Sequence, residues 1–414
     1  MTITNVTPAD VGAEPAAKGW RTAVRDAIPA IGVYIFLRLL SLEFMAILAR
    51  YAYAQDPAKQ VYPDGSTNQW RGYTSSMDAL FSWDARWYML IAGQGVEGPV
   101  GAVDENGVPY LNRLMFFPLY PWLARPFAAL PFISPMTACL IVSAISAVAA
   151  AWGLYLIGRH VHDHRVGIML VAAWAVAPAA LTQNGGFSES LFTALSAWAL
   201  YAVLKQRWLL AGLLAGLSGL SRPTAAALIG VVGLAALIAA IQRKDGWRPY
   251  AAMLIAPAGL LAYVGYAGSK VGGISKYFEV HSNTFGAWWD YGESTTKLVW
   301  DVMLGNSEDA TKPIRVLNVL VLFGFILLMV MLIANKAPWV LSVYAVATFV
   351  LAVGSHAHIS MMSRHLLPAF TVLLVPALAM SRMSNRNAGI LLVTLGILSG
   401  WYAGWLPFIS GQAI

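Results

Sequence analysis

Three large aromatics and one carboxylate fall within the six residues from Trp83 to Tyr88. The full run is Phe81-Ser82-Trp83-Asp84-Ala85-Arg86-Trp87-Tyr88. A carboxylate among half-buried aromatics is costly to desolvate unless something uses it. Read as one helix over 80–91, the segment puts Asp84, Tyr88 and Ile91 on a shared face, with Phe81 beside them. Arg86 then points to the opposite side, and Asp78 lies about 120° around the helix, so neither pairs with Asp84. An isolated carboxylate suits a general base that takes a proton from an attacking hydroxyl. Hydrolysis of an ordinary glycoside uses two. The competing role for Asp84 is a capping or ion-paired residue on a surface helix.

Further chemistry-bearing residues lie downstream. Glu189, in Phe187-Ser188-Glu189-Ser190, would open a helix where a carboxylate complements the dipole. It would equally bind sugar hydroxyls or orient a cation. Arg222 in Ser221-Arg222-Pro223 stands at a turn and invites an anionic partner such as a phosphate. His356, His358, Arg364 and His365 fall within ten residues of one another. Their spacing is poor for a metal on a helix and good for a phosphate or pyrophosphate, so no metal is expected. Trp289-Asp290 has the look of a sugar platform with a hydroxyl acceptor. The run 112–122 carries two prolines in aromatic surroundings and, taken alone, reads as an interfacial anchor.

The elements that must position these residues cross a membrane. The chain is 58% hydrophobic and 11% charged, against about 25% charged in soluble domains. Apolar stretches near 27–49, 134–157, 165–182, 188–204, 250–268, 314–334, 338–354, 365–380 and 388–406 each approach spanning length. The stretch 208–241 is broken around Arg222 and has cations at both ends, so it reads as a hairpin of two short helices. About eleven spans result. The short connectors 158–164, 205–207, 242–249, 335–337 and 381–387 are rich in Lys and Arg and share one side with the N-terminus, which is therefore cytoplasmic. The external loops 50–125 and 269–313 lie opposite, together with the chemistry-bearing turns. The first holds seven acids between Asp56 and Glu105 and is too long to be structureless, so helices lying on the membrane surface are expected there.

The expected architecture is thus an all-α polytopic membrane protein. Residues 1–26 form a disordered cytoplasmic tail, and 27–414 a single transmembrane catalytic domain. The first apolar run is too long for a cleaved signal peptide and is read as an uncleaved span. Arg38 and Glu43 within it are expected to pair with other spans in a structural role. Cys139 is the single cysteine, so no internal disulfide forms. The net charge of +7 is accounted for by the flanking cations, and no nucleic-acid module is visible.

Taken together and in order, these pieces resemble the PIG-V-like mannosyltransferases of the GT-C glycosyltransferase superfamily. Trp83-Asp84 with Trp87-Tyr88 and 91–95 is similar to the family's first-loop motif. Phe116-Phe117-Pro118-Leu119-Tyr120-Pro121 is similar to its Phe-Phe-Pro-x-x-Pro segment, and Ser188-Glu189-Ser190-Leu191-Phe192 to its Ser-Glu-Ser-x-Phe turn. The stretch 208–212 leading to Ser221-Arg222-Pro223 resembles its Ala-Gly to Arg helix pair. Ser363-Arg364-His365 resembles its Ser-Arg-Tyr stretch, with a histidine in place of the usual aromatic. The likeness runs from about 30 to 375 and is loose over 269–313.

The resemblance implies a GT-C-like bundle, a polyprenyl-phosphomannose donor and a lipid-linked acceptor such as a phosphatidylinositol mannoside. It also implies inversion at the anomeric carbon, with Asp84 as base. Arg222, His356, His358, Arg364 and His365 become candidates for the donor phosphate. Trp83, Trp87, Tyr88, Glu189, Trp289 and Asp290 become candidates for the sugar and acceptor. No cofactor is implied. The active site is expected on the external face of the plasma (inner) membrane, where little water competes for the activated sugar. Transfer of another sugar, such as arabinofuranose or glucose, is the alternative. A lipid flippase is the alternative from another class, and it would place polar groups near mid-membrane instead.

Overall fold

The computed structural model describes residues 20–55, 76–96, 112–306, 308, 311–356 and 362–409. The chain is a bundle of α-helices. Helix α1 (Trp20–Gln55) begins seven residues before the apolar run. It is followed by the short helices α2 (Ser76–Leu80), α3 (Asp84–Gln94) and α4 (Leu119–Ala128). The bundle continues with α5 (Pro135–Val161), α6 (His164–Ala175), α7 (Glu189–Leu204), α8 (Trp208–Gly219) and α9 (Ala225–Ile241). Next come α10 (Arg248–Ile255), α11 (Ala258–Val271), α12 (Ile274–Phe285) and α13 (Glu293–Leu304). The C-terminal part holds α14 (Pro313–Ala334), α15 (Trp339–Val353), α16 (Met362–Leu366), α17 (Leu374–Ser381) and α18 (Asn385–Gly404). Among the described residues, five helices are long and apolar enough to cross a membrane, and six shorter apolar helices accompany them. These overlap the apolar stretches of the sequence, including the hairpin α8–α9, but α6 ends at Ala175 short of the expected 182, and the stretch 365–380 is split between α16 and α17.

Polar contacts gather the Lys- and Arg-rich connectors at one end. Arg159 Nη1 donates to Asp26 Oδ2 at 2.9 Å, Arg165 Nη2 to the Met383 carbonyl at 2.5 Å, and Trp208 Nε1 to Asp245 Oδ2 at 2.6 Å. At the opposite end lie α2, α3, the α8–α9 tip, α12 and α13. Helices pack closely where side chains are small, as is usual between membrane helices. At Gly259, an added Cβ would collide with the Gly216 carbonyl of α8.

Of the two charges in the first span, Arg38 reaches other elements, as expected, and Glu43 pairs within its own helix. Arg38 is 2% exposed, and its partners among the described residues are neutral. Its Nε donates to Asn184 Oδ1 at 2.6 Å and its Nη1 to the Ala175 carbonyl at 2.9 Å. The latter is one of the carbonyls that the end of α6 leaves without an intrahelical partner. Glu43 reaches no other span among the described residues. It pairs with Arg50 two turns along α1 at 3.7 Å, and both side chains are largely exposed.

The expected helix over 80–91 is interrupted. Residues 81–83 form a turn in which Trp83 has φ 52°, and α3 starts at Asp84. A bulky residue at positive φ costs on the order of 1–3 kcal/mol and persists only where its surroundings hold it. The run Met115–Tyr120 is no interfacial anchor either. Met115, Phe116, Phe117 and Tyr120 are buried, because the segment packs beneath α11 and against α5.

Candidate active site

Four segments distant in sequence meet around one short stretch, Gln183–Ser188. Ser143 Oγ of α5 donates to the Gly185 carbonyl at 2.7 Å and pairs with the Tyr120 hydroxyl at 2.8 Å. The Gly186 amide donates to the Leu80 carbonyl at 2.9 Å. Two adjacent glycines make this approach possible. A Cβ at Gly185 would lie 2.7 Å from the Leu80 carbonyl oxygen, and one at Gly186 would lie 2.7 Å from the Phe81 ring. The turn before α3 therefore sits against the start of α7, and this brings Asp84 close to Glu189. The α8–α9 tip is tied in by the Leu119 amide, which donates to the Leu220 carbonyl at 2.9 Å. The Tyr263 hydroxyl donates to the carbonyls of Leu114 and Phe116 at 3.0 and 2.9 Å, fixing that segment under α11.

This framework lines up four charges of alternating sign. Asp84 Oδ2 accepts from Arg364 Nη2 at 2.6 Å. Arg364 Nε donates to Glu189 Oε1 at 2.5 Å. The same oxygen lies 2.6 Å from Arg222 Nη1. The side chains of Arg364 and Glu189 are 3% and 1% exposed, whereas Arg222 is 15% and Asp84 31% exposed. The row thus runs from a buried centre to two accessible ends. Arg364 also lies 4.9 Å from the centroid of the Phe187 ring, a cation–π contact. Burial alone would lower the Arg364 pKa, but Glu189 and Asp84 more than offset it and hold the guanidinium protonated.

Asp84, Arg222 and Arg364 face one cavity of about 340 Å³. Trp83, Trp87, Tyr88 and His365 also line it, together with Phe116 and Phe117, Thr224, and His281 and Thr284 of α12. Trp87 stacks on Phe116, with centroids 5.7 Å apart. The Tyr88 hydroxyl lies 3.2 Å from Ser188 Oγ, and burial pushes its pKa up to about 12. Phe285 packs edge-on against Phe116 at 5.1 Å, which docks α12 over the cavity. Arg86 is exposed.

The sequence-derived candidates divide accordingly. Trp83, Asp84, Trp87, Tyr88, Arg222, Arg364 and His365 are brought together. Glu189 stands behind them, with its Oε1 bonded to both arginines and no part of it lining the cavity. His356 and Trp289 sit on a short antiparallel ribbon of β1 (Trp288–Trp289) and β2 (Ser355–His356), and Asp290 follows β1. There His356 stacks on Trp288, with centroids 3.9 Å apart, and meets Ser294 Oγ at 2.5 Å. His356 is thus held on the ribbon and does not line the cavity. Asp290 accepts from the amides of Gly292 and Ser294 at 2.9 and 3.0 Å, capping the start of α13. Burial pushes its carboxyl up, but these bonds and the Ser294 hydroxyl outweigh it and hold it below the usual carboxylate value. His358 lies outside the described residues. Phe187, Ser188, Thr224, His281 and Thr284 were given no role in the site from sequence. The first two flank Glu189, and Thr224 follows Arg222-Pro223, so adjacency to a motif was the available signal.

The fold is GT-C-like. Residues 117–266 match the family model described as dolichyl-phosphate-mannose-protein mannosyltransferase. The structure resembles that of ArnT from Cupriavidus metallidurans bound to undecaprenyl phosphate, with TM-score 0.50 and 14% identity over 92% of this chain and 64% of that one. It also matches an oligosaccharyltransferase from Archaeoglobus fulgidus in complex with Zn and sulfate, with TM-score 0.48 and 14% identity over 90% of this chain and 53% of that one. The chain therefore spans less than two thirds of the length of these structures. No curated protein matches it in sequence.

Proposed function

We propose that this chain is an inverting membrane glycosyltransferase that moves mannose from polyprenyl-phosphomannose to a lipid-linked acceptor, such as a phosphatidylinositol mannoside. One observation carries the reading: the Asp84 carboxylate and the Arg222 and Arg364 guanidiniums share a single cavity. The family match and the GT-C-like fold support it.

In this reading an acceptor hydroxyl oxygen attacks the anomeric carbon of the donor. The bond from that carbon to the phosphate oxygen breaks, and its electron pair leaves with the phosphate. The hydroxyl proton passes to Asp84. Arg364 engages Oδ2 and turns the carboxylate, leaving Oδ1 to receive the proton. A phosphate is a good leaving group, so no second carboxylate is needed as acid. Arg222 and His365, which line the same cavity, offset the charge that grows on the departing phosphate. Trp83, Trp87 and Tyr88 present ring faces and a hydroxyl to the sugar. Trp289 and Asp290 are assigned to sugar or acceptor binding, and His358 to the donor phosphate. The Lys- and Arg-rich connectors lie at the far end of the bundle, which supports an extracytoplasmic active site in the inner membrane.

Purified protein in lipid nanodiscs, given labelled polyprenyl-phosphate esters of mannose, arabinofuranose and glucose, tests the reading. Glycolipid and peptide acceptors are supplied in separate arms. Mannose transfer to a glycolipid is expected. Transfer of a different sugar alone would replace the donor, and transfer to the peptide would replace the acceptor. No transfer from any donor would remove the assignment.

A further inference from the structure

Part of the cavity lining carries no formal charge. It is formed by His281 and Thr284 on α12 and by Thr224 beside the hairpin tip. The hydroxyls of Thr224 and Thr284 are both buried and make no hydrogen bond among the described residues. Each passes over an ordinary local partner. Thr224 occupies the N-cap position of α9, where a threonine normally accepts an amide two or three residues on, yet it makes no such bond. Thr284 sits within α12, where a hydroxyl commonly returns to the carbonyl one turn back. Ser41 does this in α1, donating to Leu37 at 2.9 Å, and Thr284 does not. Leaving a buried hydroxyl unbonded costs about 1–3 kcal/mol, so two in one cavity wall call for a partner.

His281 completes the set. Its ring packs against Phe285 at 4.9 Å and Tyr277 at 6.0 Å. Burial lowers its pKa below the ordinary 6.5. The imidazole is therefore neutral at physiological pH and offers one donor and one acceptor. A neutral donor–acceptor and two hydroxyls suit a ligand that is itself uncharged and rich in hydroxyls. They do not suit a phosphate, which the arginines of the same cavity would take.

We propose that Thr224, His281 and Thr284 form the sugar-reading wall of the cavity, hydrogen-bonding the hydroxyls of a glycosyl ring whose reacting centre faces Asp84. This rests on the glycosyl-transfer reading and adds the residues that set its sugar specificity. A site built to bond a hydroxyl rejects the analogue that lacks it, at the extreme by about 10⁴–10⁵-fold.

The test compares kcat/KM for the parent substrates with monodeoxy analogues of the donor sugar and, in a second arm, of the acceptor sugar. Thr284→Val and Thr224→Val keep the side-chain shape and remove one hydroxyl each. Thr284→Ser restores it, and His281→Gln keeps a neutral donor and acceptor. In Thr284→Val, discrimination against one deoxy position should fall by about tenfold or more, and Thr284→Ser should recover it. The arm in which this happens tells whether the donor or the acceptor ring is read. An equal loss for parent and every analogue in all variants would mean a merely structural wall and overturn the proposal. Discrimination unchanged from wild type would overturn it too, while leaving glycosyl transfer intact. A wild-type protein inert toward every polyprenyl-phosphosugar would sink both readings together.

Discussion

Arg364 Nη2 stands 2.6 Å from Asp84 Oδ2, across 280 positions of sequence. The guanidinium is nearly sealed from solvent and the carboxylate is not. A buried arginine fork therefore fixes the direction of a partly accessible acid. On the far side of Arg364, Glu189 returns the compensating charge, and Arg222 balances Glu189. Removing Arg364 or Glu189 leaves a buried partner short of its counter-charge.

Asp84→Asn tests the end of this row. The amide oxygen can still accept from Arg364, so the contact and the fold should persist. The side chain can no longer take a proton, and turnover should drop by about 10²–10⁴-fold. The check is kcat for labelled sugar transfer, alongside the elution profile and thermal midpoint of the purified variant. Turnover near wild type would strip Asp84 of the role of base.

Glu189→Gln tests the centre. Both arginines would lose their shared anion in a buried setting, and stability should fall by about 3–5 kcal/mol. Pairing the change with Arg222→Gln removes one cation as well. The double variant should therefore be less destabilised than the two single losses added together. Thermal midpoints of the single and double variants in one detergent provide the cycle.

Arg38 is a positioning residue in this structure. It holds Asn184 and the end of α6, and the residues after Asn184 carry Ser188 and Glu189. Arg38→Leu should loosen this turn and lower kcat about tenfold or more, because small misplacements near the chemistry are costly. Arg38→Lys supplies the charge without the fork and should recover only part of the rate. A structural role alone would lower the thermal midpoint of Arg38→Leu without changing kcat in the protein that remains folded.

The depressed pKa of His281 makes a prediction about pH. The folded protein keeps this imidazole neutral at pH values where the unfolded chain, at the ordinary 6.5, already binds a proton. Protons then favour the unfolded state, so this contribution is complete above pH 6.5 and is lost as the pH falls below it. His281→Gln should flatten the fall in thermal midpoint between about pH 6.5 and pH 5. An identical slope in both proteins would count against it.

Hydropathy and the placement of Lys and Arg were enough to delimit the membrane helices. Lipid leaves a chain few ways to satisfy its backbone, and a run of about 20 apolar residues has essentially one. The broken stretch around Arg222 was legible as a hairpin for the same reason. The motifs around Asp84, Glu189, Arg222 and Arg364 were visible as separate pieces because each joins unusual residue types within a few positions. Their pairing was not visible. Arg86 and Asp78 were the neighbours that helix periodicity could weigh, whereas the partner Arg364 comes from the other end of the chain. Periodicity also carried a helix through Trp83, where packing against Gly185-Gly186 imposes a turn. Proximity in sequence grouped His356 with Arg364, yet a two-residue ribbon holds His356 against Trp288 instead. That the Thr224 and Thr284 hydroxyls make no hydrogen bond among the described residues was invisible for a related reason. Whether a hydroxyl is satisfied depends on every group around it, and only the folded chain assembles that surrounding.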